Sequence, residues 1–287
     1  MLNNNKKCVD KSHKAPYYHN MVIVDTKRVK DYLNKTKLTT LDYVINPYVG
    51  CPNKCLYCYA AYMVGFSKHS EAWGEFVDVK QTRKRINIFK IKNKKVMIST
   101  VTDPYNCYEK EYEITRKLLT QLVPSEAFIS IVTKSKLVLR DIDLFKKMKN
   151  VEIALSFSTI DEKIKSKLEP FSSSIEERLE TLKILRENKI RTVVFIAPII
   201  PEITDYKRII DVTKDFTDEY WFDMLNLRSS FKTNMFKFIE KEYPIMRSLY
   251  EDIYNKKNSK YFEEVSEDIE RYCLGKGIAY KNFYAGT

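Results

Sequence analysis

Glycine and proline are scarce, 6 and 9 of 287 residues, which excludes collagen-like material and flexible linker sequence. No stretch reaches 18 consecutive apolar residues, so a membrane span is excluded. The opening Met1 to Asp10 is polar and lysine-bearing and leads into no apolar run, so no secretory signal and a cytoplasmic location are expected. What is present is a 34.0 kDa chain, 44% hydrophobic and 31% charged, which has the material for a large core and is not a disordered tail. Basic residues outnumber acidic ones, 50 to 38, for a formal charge of +12. That balance suits nucleic acid or an anionic metabolite. Lysines spread along the whole chain serve equally to solvate its surface.

Six cysteines carry more information than the charge. Cys8, Cys107 and Cys273 are scattered, whereas Cys51, Cys55 and Cys58 lie together. Disulfide frameworks belong to short secreted chains, so metal or cluster ligation by the close trio is the better starting point.

Along the chain, residues 1–38 form a polar, basic N-terminal extension, 39–230 the main domain, and 231–287 a helical C-terminal extension packed on it. Strand-like segments at 41–45, 96–101, 128–132, Val151–Phe157, 190–196 and 220–227 alternate with helical patterns at 109–122, 139–148, Ile175–Glu187 and 205–214. Helices are predicted at 235–255 and 261–272 beyond the last strand. Apolar strands separated by amphipathic helices imply an α/β fold with a parallel sheet. Six strands are too few for a closed eight-unit barrel, so a partial (β/α)6 TIM-like barrel is expected, with ligands gathered at the carboxyl ends of its strands.

The first strand runs into Asn46-Pro47-Tyr48-Val49-Gly50-Cys51-Pro52-Asn53-Lys54-Cys55-Leu56-Tyr57-Cys58-Tyr59-Ala60. Thiolates suit zinc or iron–sulfur centres. Structural zinc needs a fourth ligand, for which only His69 and Cys107 offer themselves, in no familiar spacing. Three thiolates alone can hold three irons of a 4Fe–4S cluster and leave one open to a cofactor. Gly50 permits a close backbone approach or an ordinary turn. Tyr57 either covers the cluster edge or fills the core.

The trio, with an aromatic before its third cysteine, resembles the radical S-adenosylmethionine superfamily. The wider pattern resembles its photolyase-like branch, which includes spore photoproduct lyase. Ser99-Thr100-Val101-Thr102-Asp103-Pro104-Tyr105, Val132-Thr133-Lys134-Ser135, Leu155-Ser156-Phe157-Ser158, Leu168-Glu169-Pro170 with Arg178-Leu179, and Ala197-Pro198-Ile199 continue it, over roughly residues 41–228. The resemblance implies a 4Fe–4S cluster on Cys51, Cys55 and Cys58 whose open iron chelates S-adenosylmethionine. One electron then cleaves the sulfonium bond, and the 5′-deoxyadenosyl radical removes a hydrogen atom from the substrate. Reduced flavodoxin or ferredoxin is the implied electron donor.

Asp103, just past a strand end, is a candidate to orient substrate or cofactor, or caps a turn. The resemblance places Lys134 at the cofactor carboxylate, Ser156 and Ser158 at its polar atoms, and Glu169 with Arg178 at its ribose or carboxylate. Glu169 and Arg178 could instead form a salt bridge organising a loop and a helix. Ala197 and Pro198 would shape the adenine pocket, and Tyr57 joins the cofactor set. Candidate substrate contacts are Tyr48, Asp103, Tyr105, Phe157, Asn226 and Arg228, the aromatics by stacking on a flat ring. At Thr100 the chain departs from spore photoproduct lyase, which carries there a cysteine that returns a hydrogen atom to the product radical. A threonine O–H bond is too strong for that task. Cys107, seven residues later, is the remaining catalytic candidate beside Asp103.

Two substrates compete. Queuine lyases of the same branch resemble the chain in length and organisation, which implies cleavage of the C–N bond of queuine, release of 7-aminomethyl-7-deazaguanine (preQ1) and a place in queuosine salvage. The +12 charge and basic runs such as residues 80–95 favour repair or modification of nucleic acid by the same radical. A non-catalytic zinc or iron–sulfur protein is a third class.

Overall fold

The computed structural model describes residues 22–227 and 229–284, the side chains of Ser229 and Ser230 excepted. The chain divides into two compact units, Met1–Lys54 with Met63–Ile153 and Cys55–Tyr62 with Ala154–Thr287.

The first unit holds β1 (Ile23–Arg28), β2 (Leu33–Lys35), β3 (Tyr43–Ile45), β4 (Tyr48–Val49), β5 (Phe76–Gln81), β6 (Lys95–Ile98), β7 (Phe128–Thr133) and the start of β8 (Val151–Phe157). β5 is the centre of a small sheet, parallel to β1 with Ile23 opposite Phe76 and antiparallel to β4 with Tyr48 opposite Val79. In a second sheet β3 pairs antiparallel with β2 and parallel with β6, and β6 pairs parallel with β7. The sequence patterns missed β1 and β5, in each of which an apolar start is interrupted by an aspartate and runs into a charged or polar end.

The second unit receives the end of β8 and adds β9 (Arg191–Ile199), β10 (Glu219–Met224) and β11 (Tyr280–Asn282). β10 is parallel to both β9 and β11. The strands are rich in valine, isoleucine and aromatics, and β8 to β10 are mostly buried, as expected for parallel strands covered on both faces. The strand–helix succession makes the chain an α/β protein of the partial TIM-like class. Helix Ile175–Glu187 lies at its predicted bounds, begun by a capping box between Ser174 and Glu177.

Two predicted helices are broken. That over 109–122 divides at Glu113, which is left-handed at φ 52°. The buried carboxylate of Glu109 accepts the N–H groups of Thr115 (2.9 Å) and Arg116 (3.1 Å), so it starts the second piece afresh. That over 235–255 stops at Glu242 and resumes at Arg247, because Pro244 has no N–H to continue it. The helix expected over 139–148 is a 3₁₀ turn, Lys136–Asp141, followed by one α-turn, Ile142–Phe145.

Candidate radical-enzyme site

The cysteine loop leaves β4 at Gly50, whose φ is 84°. A Cβ there would lie 2.2 Å from the Phe76 carbonyl oxygen, so glycine is required by the backbone of β5. Cys51 is buried and Cys55 and Cys58 are half-buried; all three are thiols. Neither fourth ligand considered for zinc is available to them. The two ring nitrogens of His69 face Asp78 (2.8 Å) and Glu71 (3.4 Å), and the ring stacks on Phe76. Cys107, half-buried ahead of helix Glu109–Tyr112, is disulfide-bonded and in that state has no S–H hydrogen to give. A donor set of three thiols fits an iron–sulfur cluster with one open iron better than it fits closed tetrahedral zinc.

In the first unit Asp103 gathers three loops. Its Oδ1 accepts from the Thr133 hydroxyl (2.6 Å) and the Tyr105 N–H (2.9 Å). Its Oδ2 accepts from the Lys134 N–H (2.8 Å) and the Asn53 amide (3.4 Å). Asn53 lies inside the cysteine loop, so this carboxylate ties that loop to the ends of β6 and β7. Thr100, past the end of β6, exchanges hydrogen bonds with the Asn46 side chain. Tyr48 and Tyr105 are closed into the interior at 0% and 1% exposure. Their hydroxyls are held by Glu109 and Asp141, carboxylates that also receive Arg140.

In the second unit a buried network forms around Glu169. One carboxylate oxygen accepts from the Tyr57 and Ser158 hydroxyls, the other from Arg178 and Ser172. Arg178 also donates to the Ser172 hydroxyl (2.6 Å), the Ser173 carbonyl (3.1 Å) and the Ser156 carbonyl (2.8 Å), and its guanidinium lies over the Phe157 ring. Burial raises the Tyr57 phenol well above its ordinary pKa, and the Glu169 charge adds to this. Burial alone would lower the Arg178 pKa; the charge of Glu169 outweighs it and the net shift is upward. The Leu56 N–H also bonds the Leu168 carbonyl at 2.8 Å, so the segment carrying Cys55 and Cys58 is held at two successive residues.

Ala197 and Pro198 are half-buried near the end of β9, where the Ala197 carbonyl accepts from Ser156 (3.1 Å). Asn226 is exposed after β10, and Arg228 lies outside the described residues. One residue that the motifs did not single out is Asp223, the exposed position of a buried strand, whose carboxyl is pushed up to about 6 by the surrounding protein. The signal was a lone acid in the apolar run Tyr220-Trp221-Phe222-Asp223-Met224-Leu225.

Residues 45–213, more than half the chain, match the profile of the radical SAM superfamily. An uncharacterized protein of Methanocaldococcus jannaschii is 41% identical over 258 residues, covering 88% of this chain and 95% of its own. An uncharacterized protein of Acidianus two-tailed virus is 29% identical over 55% of this chain and 56% of its own. Among solved structures, a spore photoproduct lyase variant with bound AdoMet and dinucleoside spore photoproduct matches with a TM-score of 0.57 at 15% identity, over 77% of this chain and 66% of that one. Streptococcus suis SuiB bound to S-adenosylmethionine matches with a TM-score of 0.58 at 15% identity, over 85% and 50%. At such identities the likeness is one of fold.

Proposed function

The chain belongs to the radical SAM superfamily, and from that premise we propose that it is a lyase that cleaves the C–N bond of queuine and releases 7-aminomethyl-7-deazaguanine. As a radical SAM enzyme it uses a 4Fe–4S cluster and S-adenosylmethionine, which together supply the electron and the 5′-deoxyadenosyl radical for hydrogen abstraction. Cys51, Cys55 and Cys58 hold the cluster. Tyr57, Glu169 and Arg178 fix the segment between the second and third cysteines and close it against water. Asp103 acts by position: its acceptors are occupied by Asn53, Tyr105, Thr133 and Lys134, and through them it sets the cysteine loop against the strand ends. Lys134 is assigned to the cofactor carboxylate, and Ala197 and Pro198 to the adenine wall.

The observation that carries the small-molecule substrate is Thr100. Its hydroxyl, bonded to Asn46, stands where the resembled DNA lyases carry a hydrogen-returning thiol. Elimination from the substrate radical leaves one unpaired electron on a product, and an electron from the reduced flavodoxin or ferredoxin, with a proton, closes it without a protein thiol. The test is anaerobic reconstitution with iron and sulfide, then dithionite, S-adenosylmethionine and queuine, with products followed by mass spectrometry. Release of 7-aminomethyl-7-deazaguanine together with 5′-deoxyadenosine is expected. Slow 5′-deoxyadenosine formation with intact queuine would overturn the substrate and turn attention to modified nucleosides and damaged DNA. A reduced flavodoxin or ferredoxin is the donor expected to replace dithionite.

A further inference from the structure

Residues 82–95 hold seven basic side chains and no acidic one. They enter β6 at its amino end, whereas Thr100 and Asp103 follow its carboxyl end. Three of the cations are matched: Lys84 to Asp31 (2.6 Å), Lys92 to Glu126 (2.9 Å) and Lys94 to Asp42 (3.5 Å). The other four, Arg83, Arg85, Lys90 and Lys95, are exposed, and no carboxylate among the described residues forms an ion pair with them. The neighbouring strands add to the same surface. Exposed Lys35 stands opposite Tyr43 in the β2–β3 register, and the Lys90 ammonium lies 5.5 Å over the Tyr43 ring. A surface built only for solubility intersperses both signs of charge. A run of one sign keeps a standing attraction for a polyanion.

The segment is also firmly held. The Gln121 side chain of helix Ile114–Leu122 accepts the Ile86 N–H at 3.0 Å, and Ile86 and Ile91 are buried. Between these two anchors runs the 3₁₀ turn Ile88–Ile91, capped by Asn87, whose side chain accepts the Lys90 N–H at 3.2 Å. The Lys94 N–H closes the exit on the Ile91 carbonyl at 2.9 Å. On this fixed turn Phe89 is 85% exposed, while Ile86 and Ile91 pack inward. The ring is thus presented to solvent in the middle of the basic run.

We propose that this turn is a docking surface for single-stranded nucleic acid, in which the unmatched cations take phosphates and Phe89 stacks on an unpaired base. Guanidinium forks suit phosphate oxygens, and an aromatic face among cations is the arrangement that holds single strands without reading their sequence. An acidic protein would satisfy the cations and leave the phenylalanine without a role. A membrane surface needs more apolar area than one ring offers. This is a second binding activity in the first unit, and it does not depend on queuine as the substrate.

The test measures binding of a labelled, mixed-sequence single-stranded oligonucleotide to the reconstituted holoenzyme over a series of salt concentrations. Affinity is expected to fall steeply with salt. Arg83→Gln with Arg85→Gln should weaken binding at least tenfold at low salt and flatten the plot of log K against log salt by about 1.4, the share of two phosphate contacts on a single strand. Phe89→Ala should lose about fivefold or more at an unchanged salt slope, because stacking releases no counterions. Lys237→Gln with Lys257→Gln, which removes the same charge from exposed positions of the second unit, is the control and should leave the affinity within about twofold. Absence of binding at low salt, an equal loss in the control pair, or an affinity unmoved in F89A would overturn the proposal. So would displacement of the oligonucleotide by polyglutamate at equal charge, or binding to phosphatidylserine vesicles in its place.

Discussion

Tyr57, caught between Cys55 and Cys58, donates its phenol hydrogen to Glu169, 112 residues further along the chain. The same carboxylate takes Arg178, so the middle of the cysteine segment is fastened to an ion pair with no exposed side-chain surface. Removing the phenol hydroxyl leaves a buried acceptor with one partner fewer. Tyr57→Phe is expected to cost about 1–3 kcal/mol, read as a lower urea midpoint at unchanged slope.

Arg178 carries a larger share of the same arrangement. Arg178→Met strands the Glu169 carboxylate in the interior and should cost about 3–5 kcal/mol. Adding Glu169→Gln removes the stranded charge, and the double variant is expected to regain at least half of the loss. Denaturation curves of the two single variants and the double variant provide the cycle. Strict additivity would show that the two side chains do not act as a pair.

Gly50→Ala combines a left-handed φ with a Cβ 2.2 Å from a backbone oxygen that cannot swing away. A loss of about 2 kcal/mol or more is expected. Because the strain sits one residue before Cys51, iron retained after reconstitution should fall as well. Stability and iron content are measured on the same preparation.

Replacing Cys51, Cys55 or Cys58 singly by alanine should abolish the cluster, seen as loss of iron, sulfide and the visible absorption band. Cys273→Ala is the control. That thiol is buried in helix Lys260–Gly275, and burial pushes its pKa up to about 11, which keeps it protonated and inert. Its replacement should leave the iron content unchanged.

Asp223 makes a prediction about stability. Its folded pKa, raised to about 6 from 3.8, means that the ionised form is disfavoured by folding. The penalty is therefore full above pH 6 and fades as pH falls toward 3.8. Tyr59, from the cysteine segment, feels the Asp223 charge but stays neutral throughout, since burial raises its own pKa. Asp223→Asn should raise the melting temperature at pH 7.5 and leave it unchanged at pH 3.5. Solvent access keeps the gain below about 1 kcal/mol.

Much of this was legible in the residues. Val151–Phe157 and Ile175–Glu187 are readable to the residue, because a mostly apolar run and an amphipathic pattern behind a capping serine are local signals. The break at Glu113 was not, since it depends on a carboxylate turned inward by tertiary contacts. β1 and β5 escaped notice because their pairing joins residues about fifty apart and neither segment alternates cleanly. At the site, the cysteine spacing announced its chemistry. The division of labour did not: Glu169 and Arg178 satisfy one another and Tyr57, while Asp223, in no motif, is the exposed residue of an otherwise buried strand.

The two compact units exchange the chain three times, after Lys54, after Tyr62 and after Ile153. The eight-residue strap Cys55–Tyr62 thus belongs to the second unit by packing and to the first by covalent attachment at both ends. A polypeptide cut after Ile153 would yield a second fragment lacking all three thiols and the phenol that Glu169 binds. Neither half of this enzyme is a self-sufficient module, and fragment complementation, circular permutation or fusion through that junction must carry the strap along.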